Sequence, residues 1–182
     1  TSWRHPDSPP HLLAEMGAVL SVMRQLHEML VHLREADARG HQDAAALTDH
    51  IRTLTQGSPE ALLTLDLDEL YDDVAPVLSE VSAQARANWP DAHDLGQHDL
   101  AGRDLRERDL RGAALRGAVL IQTDLRGLDL TDADLLGADC RDADVRGSDL
   151  RGALHLTQVQ INTMRGDRAT RLPAGVDRPS YR

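Results

Sequence analysis

The chain has 182 residues, enough for one large domain or two small ones with a buried core. It contains no Phe and only 2% aromatic residues, and its formal net charge is -10; this excludes an aromatic platform for stacking bases and argues against direct binding to nucleic acid or an anionic membrane. The single cysteine, Cys140, excludes a disulfide framework and a cysteine-based zinc site.

No run approaches the roughly 18 apolar residues of a membrane span, and the start Thr1-Ser2-Trp3-Arg4 lacks an apolar secretory region. A soluble cytoplasmic protein is expected. All 20 cations are arginine, as a GC-rich genome would give. Residues 1–92 carry 15 acids and 6 arginines, whereas residues 93–182 carry 15 acids and 14 arginines. The expected division is an α-helical domain over 1–90, a repeat domain over 91–156, and a capping helix with an extended tail over 157–182.

In the first domain Ser8-Pro9-Pro10 supplies a helix start, with Pro at the first helical position. Leu12, Met16, Val19, Met23, Leu26, Leu30 and Leu33 then follow at spacings of 4 and 3, the seam of a helix packed lengthwise on another helix. Helices are expected at about 9–38, 42–56 and 59–88. Ser58-Pro59-Glu60 starts the last of these, and Pro76 is expected to break it. Its seam is Leu67, Tyr71, Val74, Leu78 and Val81. An intramolecular antiparallel bundle and an intermolecular coiled coil require the same seams, so a homodimer through these helices stands beside a closed bundle.

From residue 93 the period changes to five. Leu95, Leu100, Leu105, Leu110, Leu115, Leu120, Leu125, Leu130, Leu135, Cys140, Val145 and Leu150 recur in phase. Asp precedes all of them except Leu115 and Leu120, and a small residue such as Ala113, Ala118, Ala133, Ala138 or Ala143 commonly lies two positions before. Neither 3.6 nor 2.0 fits this period, so it is read as a structural repeat before anything else.

These residues resemble the pentapeptide repeat family, whose pattern is A(D/N)LXX, over residues 93–155. The resemblance implies a short right-handed quadrilateral β-helix of about three coils, with the central Leu and the small residue facing inward. The fold class expected for the whole is therefore α+β: an N-terminal helical bundle or coiled-coil hairpin, then the β-helix, then a C-terminal capping helix. In the first coil the inward small positions hold His93, His98, Arg103 and Arg108, which are too large and polar for an interior and are expected to turn over the rim. Thr157 and Gln160 fit a capping box, with Leu156 and Ile161 as its staple. Family members often end in a similar helix and tail.

No Ser/His/Asp grouping, phosphate loop or metal spacing stands out, so no catalytic residue, metal ligand or cofactor is expected. Val119, Ile121 and Leu136 are apolar at outward positions and form a candidate contact patch. The leading expectation is a non-catalytic interaction or scaffold protein with a protein partner of unknown identity. The alternative implied by the resemblance is a DNA mimic that binds or protects a type II topoisomerase. Against it stands the near balance of charge in the repeat half, since DNA presents a phosphate every ~1.7 Å of axis.

Overall fold

The structure is a computed structural model, and it describes residues 10–180. The Ser8-Pro9 helix start, Thr1–Arg4 and the last two residues of the tail lie outside the described residues. Among the described residues five helices form: α1 (Pro10–Ala38), α2 (Ala44–Leu54), α3 (Pro59–Leu63), α4 (Leu67–Arg86) and α5 (Gln158–Thr163). The chain divides into two compact units, Thr1–Ser79 and Glu80–Arg182, and the boundary falls inside α4.

In the first unit α1 packs against α2 and α3. α1 ends at Gly40, whose φ of 84° lets the His41 N–H reach the Ala36 carbonyl at 3.0 Å and the Gly40 N–H reach Asp37 at 2.8 Å. These two bonds satisfy carbonyls that the helix end would otherwise leave unpaired. Ser58 caps α3 by accepting from the Ala61 N–H, with Pro59 following it.

Pro76 does not break the helix. α4 runs through it unbroken, and the interruption falls at residues 64–66 instead. There the Asp66 carboxylate accepts from the N–H groups of Asp68 and Glu69, an N-cap strong enough to start a new helix. Pro76 lies on the exposed side of α4, so the amide it lacks removes one helix hydrogen bond without disturbing a packed face.

The expected β-helix, and with it the α+β class, is not what forms. The described residues contain no β-strand and no sheet. The repeats form a stack of 20-residue coils joined by isolated parallel bridges: Asp94 to Ala114, Asp99 to Val119, Asp104 to Asp124, and onward through Asp134 to Leu154. The reason lies in the five-residue period itself. Each side spends most of its residues on a turn, such as His98 N–H to Leu95 C=O, whose third residue is in the left-handed region. One residue per side is left to bridge, and no consecutive pair remains to make a strand.

Each bridge is nonetheless well bonded. At the first side Leu95 donates to Ala114, Gln97 donates to Arg116, and Ala114 donates back to His93, all at 2.8–2.9 Å. The central residues from Leu105 to Leu150, Cys140 and Val145 included, are buried inside the stack, while Leu95 and Leu100 of the first coil are only partly covered. Burial pushes the Cys140 thiol up to about 12, aided by the nearby Asp139, so it remains an unreactive thiol. Thr123 and Ser148, inward among the alanines, donate their hydroxyls to the Leu100 and Leu125 carbonyls below.

The far end is closed by α5. Its capping box forms through Thr157 and Gln160, and Leu156 and Ile161 are buried. The Gln160 amide also donates to the carbonyls of Leu135 and Ala138 on the underlying coils. Beyond α5 the tail resumes the stack, with Arg165 bridging to Asp144 and Arg171 to Asp149.

Candidate functional site

The repeat Asp has a local role that its outward position alone does not suggest. The carboxylate accepts the N–H of the residue two places on, as Asp94 does from Gly96, Asp104 from Arg106 and Asp149 from Arg151. That amide starts the turn and would otherwise face outward without a partner. When the same residue is arginine, its guanidinium returns to the same carboxylate in a two-point fork. The pairs Asp104–Arg106, Asp109–Arg111, Asp124–Arg126, Asp139–Arg141, Asp144–Arg146 and Asp149–Arg151 all form it. Hydrogen bonds from Arg106 and Arg111 hold Asp104 and Asp109 down at about 2. Six carboxylates of the outer wall are thus matched by arginines, while Asp94, Asp99 and Asp129 accept from the residue two places on through its N–H or the Thr131 hydroxyl.

Asp134 departs from this pattern. It is 2% exposed, and it bridges between Ala114 below and Leu154 above. Its Oδ2 accepts from Ser82 of α4 at 2.7 Å and from both Nε and Nη2 of Arg116 at 3.1 and 2.9 Å. Its Oδ1 accepts from the Leu136 N–H and from His155 Nδ1–H, both at 3.0 Å. Burial alone pushes this carboxyl up, but the hydrogen bonds from His155, Ser82 and Leu136 outweigh it and hold the group well below the ordinary carboxylate range. Ser82 donates its hydroxyl to the carboxylate, so within this cluster it acts as a tether of α4 to the stack.

Nearby, Arg86 donates to the Gly112 carbonyl and the Trp89 indole N–H to Asp132. Trp89 lies against Gly112 so closely that any Cβ there would overlap its ring, and the Arg111 guanidinium sits 4.8 Å from the ring centroid. Ser82, Arg86 and Trp89 therefore bind the end of α4 and its exit to the side of the stack. The sequence does carry a signal for Asp134. Arg116 is the one arginine in its repeat position whose own unit holds Ala114 in place of Asp, so it must seek a carboxylate in the next coil.

The candidate patch of Val119, Ile121 and Leu136 is half-buried at every position. At the open end His98, Arg103 and Arg108 are exposed and His93 is half-covered. His98 turns its Nδ1–H onto the Gly96 carbonyl.

The helical seams are placed unevenly. On α1, Leu26 and Leu33 are buried, whereas Met16, Val19, Met23 and Leu30 are half-buried and Leu12 is exposed; Met29, His32 and Ala36, outside the seam, are buried. On α4, Val74, Leu78 and Val81 are buried, Leu67 is half-buried and Tyr71 is exposed, while Leu70 and Val77 are buried in their place. Partial desolvation of its ring and hydroxyl, then the Glu28 carboxylate, raise the Tyr71 hydroxyl above its usual value. Around the opening turns of α1 and α3 lies a groove of about 780 Å³ walled by Leu12, Met16, Val19, Leu20, Pro59 and Leu63. Among the described residues no helix is long and apolar enough to cross a membrane.

The profile of the family described as pentapeptide repeats matches residues 99–135 and 113–152, with eight copies. A protein of Bacillus subtilis (strain 168) described as uncharacterized protein YybG is 41% identical over 90 residues, 47% of this chain. The matched part is 31% of that relative, so the chain spans about a third of its length. Residues 99–152 of this chain are thus similar to the pentapeptide repeats, and they are joined in sequence to a helical region that the family profile does not cover.

Proposed function

We propose that this is a non-catalytic interaction protein in which the repeat stack is a rigid block and the helical unit carries the docking surface. The observation that carries this reading is the placement of exposed apolar side chains. Leu12, Leu13, Leu20 and Leu63 are exposed on the helical unit, and three of them line one groove. Contiguous apolar surface of this kind marks an interaction site more often than a scattered leucine does. On the wall of the stack, by contrast, six aspartates are each forked by an arginine. That pairing also weighs against the topoisomerase-binding DNA mimic, which needs carboxylates free of arginine partners.

A photo-crosslinking residue placed at position 20 of the full chain in cells tests the reading, with position 141 on the stack wall as control. A discrete adduct at 20, lost on Leu63→Glu and missing at 141, supports the docking surface. Equal adducts at both positions, or none at 20, would remove it.

A further inference from the structure

Resting on that docking surface, we infer that the groove between α1 and α3 receives an amphipathic helix of a protein partner whose apolar stripe is flanked by basic side chains. The shape comes first. Leu12, Met16 and Leu20 repeat at four-residue intervals along α1, and Leu63 of α3 forms the facing wall. The same helix buries Leu26 and Leu33 farther along, where α1 is packed within its own unit. The row of apolar side chains thus runs on past the point where the unit's own helices cover it. A volume of about 780 Å³ takes several large apolar side chains, and rows at this spacing accept another helix through its own i, i+3, i+4 and i+7 positions.

The charge decides which helix. Among the described residues the charged groups that line the groove are Glu15 and Glu60, both carboxylates, and residues 1–92 hold 15 acids against 6 arginines. A second copy of this chain would bring the same carboxylates to the same rim, and like charges at that distance oppose each other. A partner with Lys or Arg beside its apolar stripe turns both rim carboxylates into attractive contacts.

The test uses the full chain and two labelled synthetic peptides of about 18 residues, with one leucine stripe and either Lys or Glu at the flanking positions. Fluorescence anisotropy reads binding, and circular dichroism and light scattering monitor fold and oligomeric state. The Lys-flanked peptide is expected to bind about tenfold or more tightly than the Glu-flanked one, with an advantage that shrinks at high salt. Leu20→Glu, at a position 58% exposed, is expected to abolish binding with an unchanged helical spectrum. Glu15→Arg is expected to reverse the preference between the peptides. Equal binding of both peptides, or preference for the Glu-flanked one, overturns the assignment of a basic helix while the docking surface stands. A dimer in the full chain that Leu20→Glu dissociates replaces the partner helix with a second copy. Binding of the Lys-flanked peptide that Leu20→Glu leaves unchanged, or no binding and no self-association at all, overturns the docking surface itself.

Discussion

The two units satisfy their side chains in opposite ways. In the repeat stack the satisfaction is mostly local: an apolar residue enters the interior, an aspartate commonly caps the turn, and in six units an arginine forks back onto that aspartate. In the helical unit the apolar row on α1 is buried at Leu26 and Leu33 but open from Leu12 to Leu20. A structure whose contacts are local leaves little unfinished at its surface. A structure whose contacts run between helices leaves a remainder wherever one helix outlasts its neighbours. In this chain that remainder is where a partner is proposed.

The largest expected difference between the units is in the cost of truncating a leucine. Leu120→Ala, at a fully buried site in the stack, should cost about 3–5 kcal/mol, measured by denaturant unfolding. Met16→Ala on the groove wall should cost less than about 1 kcal/mol. Comparable losses at the two positions would erase the contrast. Asp134→Ala should come next, at about 3 kcal/mol, because Ser82, Arg116 and His155 lose their shared acceptor; it should also shift the Trp89 emission. Gly112→Ala should cost about 2 kcal/mol, since a Cβ would displace Trp89 and φ there is 64°.

Acid should separate the units as well. A carboxylate with a depressed folded value contributes stability that is present above its ordinary value of 3.8 and is lost as pH falls through about 2. The stack should therefore hold its near-ultraviolet signal down to about pH 4 and lose it toward pH 2. A transition centred above pH 5 would contradict the arginine forks as its source. The smallest effect belongs to Leu20→Glu, expected to move stability by no more than about 0.5 kcal/mol.

What was legible in the sequence follows the same division. The five-residue phase marked the buried residues from Leu105 to Leu150, because a local repeat states its pattern in each copy, but it passed over Leu128 and Leu154, which are buried off the phase. The capping box at Thr157 and Gln160 was legible because it too is local, closed within four consecutive residues. The bridges were misread as strands because the phase gives the direction of each side chain and not the number of residues left between turns. The helical seams were read only in part. Tyr71 fits a 4-3 spacing on α4, yet Leu70 and Val77 are the buried residues, since which face of a helix is covered depends on neighbours that spacing does not name. Pro76 was given too much weight and Asp66 too little. Asp134 was hidden among look-alike aspartates, and only the Ala114 that stands in place of Asp in the unit of Arg116 distinguishes it.

The bridges between residues 20 apart set a unit of permissible change in length. Duplicating 20 residues within the run would lengthen the block by one storey and return every wall to its original bearing. Inserting five ahead of Gly112 would keep the interior filled but turn everything after it by a quarter, carrying Asp134 away from Ser82 and Gly112 away from Trp89. The stack can thus be resized in whole storeys, and the clasp between α4 and its side wall is the part that counts them.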